Sequence, residues 1–311
     1  MNRIIRIGTR NSPLAVYQAR EVQTFLRKKG YSSRLFFIKS EGDLIQNIPI
    51  HKLKKSGVFT RKITQVMLSG VIDIAVHSLK DVPTKLPEEI VLSAYLKRGS
   101  FSDLLVYKGS NNFLLDSNIH AIIATGSLRR GAFWRNRYPN NTIVDLRGNI
   151  NTRLKKLREN YWKGALFAKI GLERLGILHN LDGLNFQVLN WMIPSPGQGT
   201  IVVSTLKNND FIHHLTEKLD DKETRLSANI ERQFLRTLEC GCMTPIGAHA
   251  VIKNKITYFT GVLFSLDGMQ KIQKTKIGSH NDLIGIECAK EILKEGGMEI
   301  LQKIREKNIS K

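Results

Sequence analysis

Arginines and hydroxyl side chains gather at three places where an apolar run of this 311-residue chain gives way to a helix pattern. In Thr9-Arg10-Asn11-Ser12-Pro13, the Ser12 hydroxyl can cap a helix whose first residue is Pro13, so free backbone N–H groups and Arg10 meet at one point. An anion fits such a point. Thr125-Gly126-Ser127-Leu128-Arg129-Arg130 repeats the layout, and its two arginines oppose the helix dipole, a cost that a bound anion would relieve. The third junction, Leu146-Arg147-Gly148-Asn149-Ile150-Asn151-Thr152-Arg153, aims two more guanidiniums at a cleft. Each alone reads as a capped helix with surface arginines. Three at the same ends of their strands point to a ligand site, since open α/β sheets bind ligands at strand carboxyl ends. The arginine fork suits carboxylate and phosphate alike, so the chemistry says polyanion without naming it.

Two further segments carry reactive groups. Asp73 to Pro83 runs a buried strand into a loop bearing Lys80 and Asp81, which alone is an ordinary surface ion pair. Glu239-Cys240-Gly241-Cys242 leads into Met243-Thr244-Pro245-Ile246-Gly247 and puts thiols on a loop able to approach another domain. With only Cys288 besides, a thiolate metal site is poorly supplied and no metal is expected; nor is there a disulfide framework, so reduced thiols are expected.

The elements that position these groups follow from periodicity. Strands are predicted at 4–8, 33–38 and 72–77, with helices at 13–28 and 60–68, which is α/β patterning around a parallel sheet. A second block repeats it, with strands at 121–125, 142–146 and 165–168 and helices at 127–135 and 150–158. Beyond about residue 220 the grammar changes to a helix at 223–237, a hairpin of 256–265 with 271–277 across Asp267-Gly268, and helices at 282–294 and 298–305. Two α/β lobes and a smaller α+β C-terminal domain are implied. The 48 Lys and Arg against 27 Asp and Glu leave +21, which keeps nucleic acid in view as a rival partner, although scattered lysines read as solvated surface and no nucleic-acid motif is present. No apolar run is long enough to span a membrane, and no secretory signal is read at the start, so a cytoplasmic protein is expected.

Together the segments resemble the hydroxymethylbilane synthase (porphobilinogen deaminase) family, from Arg6-Ile-Gly-Thr-Arg-Asn-Ser-Pro-Leu-Ala15 through residues 73–83, 126–130, 146–154, Gly171-Leu-Glu-Arg-Leu-Gly176 and Pro196-Gly-Gln-Gly199 to Cys242 and Pro245-Ile-Gly247. The resemblance implies two periplasmic-binding-protein-like lobes joined by a hinge, with 1–98 plus 198–217 in the first, 102–194 in the second, and 220–311 forming the third domain. It also implies an enzyme that joins four porphobilinogen units head to tail on a covalent dipyrromethane cofactor, then releases hydroxymethylbilane and four ammonia. Cys242 is then the cofactor's attachment point, with Cys240 a competing thiol, and Asp81 the catalytic carboxylate. Cofactor contacts are implied for Lys80, Asp81, Thr125, Ser127, Arg129, Arg130, Arg147 and Gly148. Arg10, Ser12, Arg147, Arg153 and Phe59 are implied on the substrate side, although a place in the apolar core suits Phe59 equally. A monomer passing its product to uroporphyrinogen-III synthase completes the expectation, with no nucleic-acid or membrane partner. A non-catalytic two-lobe anion-binding protein is the alternative.

Some residues depart from the family pattern. Ser56 stands for a lysine in the active-site flap and Lys62 for an acid; Gly126 replaces a common serine, Ser102 an arginine and Ser204 a glutamate, and Lys169-Ile170 interrupts a small apolar stretch.

Overall fold

The computed structural model describes residues 4–44, 57–116, 118–239, 244–279 and 283–309. Its first sheet is ordered β2-β1-β3-β10-β4, from strands β1 (Ile5–Thr9), β2 (Ser33–Phe37), β3 (Ile74–Ser78), β4 (Ile90–Tyr95) and β10 (Ile201–Leu206). The second is ordered β7-β6-β8-β5-β9, from β5 (Asp103–Tyr107), β6 (Ile122–Ala124), β7 (Thr142–Val144), β8 (Gly164–Ala168) and β9 (Asn185–Val188). The sheets share one plan. Three parallel strands are followed by one running the other way, which is β10 in the first sheet and β5 in the second.

The expected parallel sheet is therefore corrected to a mixed one. The chain crosses from the first lobe to the second through 96–102 and returns through 189–200, and each crossing delivers a strand that enters antiparallel to its neighbours. These strands escaped the period-2 reading because β10 and β5 are buried on both faces and show no alternation. Core packing holds each lobe: Ile5, Ile7, Val22, Leu26 and Val203 in the first, and Leu104, Val106, Leu154 and Phe167 in the second are all buried.

The helices that follow the arginine-bearing junctions match their signals closely. Helix α1 spans Pro13–Lys28, with Ser12 accepting from the Ala15 N–H at 3.4 Å. The short α2 (Glu41–Leu44), then α3 (Arg61–Leu68), α4 (Asn112–Leu115), α5 (Leu128–Arg137), α6 (Ile150–Glu159), α7 (Lys169–Arg174) and α8 (Asp210–Glu217) complete the lobes. The third domain packs α9 (Lys222–Thr237), α10 (Ile284–Ile292) and α11 (Met298–Ile309) on the antiparallel sheet β11-β12-β13 (Ile246–Lys253, Ile256–Phe264, Lys271–Ser279). The expected hairpin pairs Phe264 with Lys271 and Ile256 with Ser279. The helix expected from residue 282 is seen from Ile284, and residue 282 itself lies outside the described residues. No helix among the described residues is long and apolar enough to cross a membrane.

The two crossings touch backbone to backbone. Gly99 N–H donates to the Gly199 carbonyl at 3.2 Å, and a Cβ on Gly199, whose φ is +92°, would sit 2.8 Å from the Gly99 oxygen. A buried carboxylate on α9 ties this joint to the third domain. Glu231 is 0% exposed and accepts from Arg98 Nη1 at 2.6 Å, from Gly197 N–H at 2.7 Å and from Ala250 N–H at 2.9 Å. One side chain therefore holds both crossings and the edge of β11. Glu231→Ala strands the Arg98 charge and two amides, and should cost about 3–5 kcal/mol of stability, read as a lower urea midpoint; an unchanged midpoint would show that the joint does not depend on this pair.

Candidate functional site

The junctions singled out in the sequence lie at the carboxyl ends of the parallel strands in both lobes. After β1, Arg10 precedes the Ser12 cap. After β3, a single 3-10 turn over Leu79–Asp81 presents Lys80 and Asp81, anchored by Leu79 N–H donating to the Thr200 carbonyl at 3.0 Å. After β6, the Thr125 hydroxyl accepts from Ser127 N–H at 3.2 Å, and Ser127 Oγ caps α5 by accepting from Arg130 N–H at 3.4 Å. After β7, Arg147 and Gly148 lead to Asn149, which caps α6 by accepting from Thr152 N–H at 2.9 Å. Gly148 has φ +114°, a left-handed turn that favours glycine. Gly126 is explained by a close approach, because a Cβ there would lie 2.6 Å from the Leu146 carbonyl oxygen.

Arg129 and Arg130 oppose the dipole of α5, whose first turn holds no acid. The sequence left their compensation to a bound anion, and the structure supplies one from within the protein. Asp103, the 0% exposed first residue of β5, accepts from Arg129 Nη2 at 2.6 Å through Oδ2 and from Arg130 Nε at 2.9 Å through Oδ1. Arg129 Nη1 also donates to the Ile193 carbonyl at 2.7 Å. Gln198 Nε2 donates to Asp103 Oδ1 at 2.9 Å. Burial opposes ionisation of Asp103, but the two arginines and the Gln198 amide outweigh it and hold its carboxyl below the usual range.

Lys80 and Arg153 lie within electrostatic reach of Arg130; Arg147 and Arg10 lie within reach of Arg153, and Asp81 acts on both Lys80 and Arg153. Burial and the neighbouring Arg130 push the Lys80 amine down to about 8, while Asp81 and Asp103 pull it up. Arg153 is pushed down to about 10, by burial first and then by Arg130 and Arg147; its Nε donates to the Gly148 carbonyl at 2.7 Å. Among the described residues, six cationic side chains gather around Asp81 and Asp103, a chemistry that suits a ligand with several carboxylates.

Phe59 was left open between core and cleft, and the structure puts it beside the cleft. The Arg10 guanidinium stacks 4.2 Å from the ring centroid, and the ring lies where a Cβ on Gly42 would be. Arg147 Nη2 reaches across from the second lobe to the Gly42 carbonyl at 3.5 Å. Sequence reasoning passed over Asp103, Gln198, Glu231 and His77. Buried His77 lies near enough to Arg10 to feel its charge, and burial followed by that charge pushes it down to about 4, so it is neutral near pH 7. No local signal marked Asp103, which lies 26 residues from Arg129. Lys62 is exposed on α3, while Ile170 packs against Gly99 at the joint. Cys240, Cys242, Lys55 and Ser56 lie outside the described residues.

Asp103→Asn would leave two guanidiniums buried against a neutral amide and should cost about 3–5 kcal/mol. Because the folded-state carboxyl titrates below its ordinary 3.8, the wild-type contribution is fully present above that value and lost as acid takes the pH lower. Urea midpoints should therefore differ between variant and wild type at neutral pH and converge in strong acid; equal midpoints at neutral pH would contradict this.

The family model described as "Porphobilinogen deaminase, dipyromethane cofactor binding domain" matches residues 5–214, and "Porphobilinogen deaminase, C-terminal domain" matches residues 226–294. Porphobilinogen deaminase of Chloroherpeton thalassium is 39% identical over 319 residues, covering 99% of this chain and 100% of the relative. The chloroplastic enzyme of Pisum sativum is 38% identical over 307 residues, covering 94% and 82%. Among solved structures, an ancestral cationic amino acid solute-binding protein gives a TM-score of 0.44 at 10% identity, covering 70% of this chain and 87% of the other, a likeness too distant to bear on the site. With near-full-length relatives and both domain models matched, the chain belongs to the porphobilinogen deaminase family of transferases.

Proposed function

We propose that the chain is a hydroxymethylbilane synthase that joins four porphobilinogen units head to tail on a dipyrromethane cofactor bound through Cys242. The observation that carries this reading is the gathering of half-buried and buried cations from both lobes around Asp81. Each pyrrole unit carries an acetate and a propionate, so the ligand gains negative charge with every addition. That is the kind of ligand these cations suit.

In each condensation the substrate's aminomethyl carbon loses ammonia and bonds to a ring carbon that gives up its proton. When bound, the cofactor supplies the pyrrole ring to which the first unit adds. Asp81 is proposed to accept the pyrrole N–H hydrogen bonds and to stabilise the positive charge that develops on that nitrogen. Arg129 and Arg130, already oriented by Asp103, together with Lys80, Thr125, Ser127, Arg147 and Gly148, would hold the cofactor's side chains. Arg10, Ser12, Arg147 and Arg153 would take those of the substrate. Phe59, against the Arg10 guanidinium, would cover a pyrrole face and shed water from it. Water finally releases the linear product, which uroporphyrinogen-III synthase would consume, and the enzyme is proposed to work as a cytoplasmic monomer.

Intact mass and turnover test the reading together. Wild-type protein should carry the added mass of two linked pyrroles, Cys242→Ser should arrive without it, and Asp81→Ala should keep it while losing about 10²–10³ in kcat. An unmodified wild-type mass would overturn the proposal, and a Cys242→Ser protein that keeps the addition would move the attachment to Cys240.

A further inference from the structure

The proposed reaction requires cations of the two lobes to keep fixed places on either side of one ligand, and a single neutral side chain touches both sets. Gln198 lies on the returning crossing and is fully buried. Its Nε2 donates to the Phe101 carbonyl at 2.7 Å, on the outgoing crossing, and to Asp103 Oδ1 at 2.9 Å, in the second lobe. Its Oε1 accepts from Lys80 Nζ of the first lobe at 3.3 Å and from Arg130 Nη2 of the second at 3.5 Å. The orientation of the amide follows from its partners, since acceptors stand on one side and cations on the other. Its hydrogen-bonding capacity is thereby used in full.

Two cations that share one acceptor repel each other, so their separation depends on what lies between them. A carboxylate there would bind both strongly and blunt their attraction for a ligand. An apolar group would leave both without that acceptor. The amide oxygen draws them together without adding a further negative charge. The same residue's backbone carbonyl accepts from Arg98 Nε at 2.9 Å, and Arg98 is held by Glu231, so the bridge stands on the joint that sets the lobes' relation.

We infer that Gln198 is a positioning residue that fixes the Lys80 ammonium of one lobe beside Arg130 of the other, so that both meet the same polycarboxylate ligand. The inference rests on the reaction proposed above for its consequence in turnover, although the bridge itself is a matter of geometry.

Gln198→Leu removes the shared acceptor, and Gln198→Asn withdraws it by one methylene while keeping a buried amide, so the second variant carries the test if the first fails to fold. Competitive labelling of amines in the protein as purified, followed by peptide mass analysis, reads the Lys80 titration directly. Its midpoint should fall in both variants, because the charged form loses an acceptor. The KM for porphobilinogen should rise about tenfold to a hundredfold with a smaller change in kcat. In a Lys80→Met background the same substitution at 198 should add little, because the effect travels through the amine. An unmoved Lys80 midpoint, or losses that simply add, would overturn the inference. A shifted midpoint in protein whose wild type does not consume porphobilinogen would support the bridge and refute the proposed reaction.

Discussion

Positive charge gathered where the two lobes meet is the constraint on which the rest of this structure depends. Two unit charges 4 Å apart interact by about 4 kcal/mol at the effective dielectric of a protein surface region, whereas a helix terminus contributes about 0.3–1 kcal/mol. The helix dipoles at the strand ends are thus the smaller effect, and side-chain charge decides the energetics. Asp103 offsets part of the repulsion by taking both Arg129 and Arg130. Burial first, and neighbouring cations after it, push Lys80 down to about 8 and Arg153 down to about 10. A ligand bearing several carboxylates, as proposed, would oppose the repulsion among these cations.

The joint between the lobes is where this charge is kept in register. Gly199 lets the crossings approach within hydrogen-bonding distance, and Glu231 secures both to the third domain. Gln198 then extends the joint into the cleft, linking Lys80 to Arg130 and Asp103. A change of lobe angle would have to move around this cluster, since its members are buried and hydrogen-bonded on several sides. The third domain is fastened at the same place, through the hydrogen bond from the Ala250 amide of β11 to Glu231.

Much of this was legible in the sequence where the signal is local. Ser12 and Pro13 marked the start of α1 to the residue, and the hairpin of β12 and β13 followed from alternation around Asp267-Gly268. The arginine-bearing junctions were visible for the same reason, since caps and first-turn charges are short-range features. What escaped was non-local. Asp103 lies 26 residues from Arg129, and Gln198 lies 118 from Lys80, so neither partnership leaves a mark in spacing. Strands β5 and β10 were hidden by burial on both faces, which erases the alternation that identifies a strand. The dipole argument at α5 sensed a missing anion correctly but assigned all of it to a ligand, when Asp103 supplies a share.

The most direct test of the central claim is the unfolding temperature of cofactor-free Cys242→Ser protein titrated with citrate, a tricarboxylate, at ionic strength held constant with chloride. The account predicts a saturable rise, reaching about 2.7 kcal/mol of added stability at a hundredfold excess over the dissociation constant, and its loss when Arg10 and Arg153 are replaced by glutamine. An unfolding temperature indifferent to citrate, or one that rises equally without those two arginines, would contradict it.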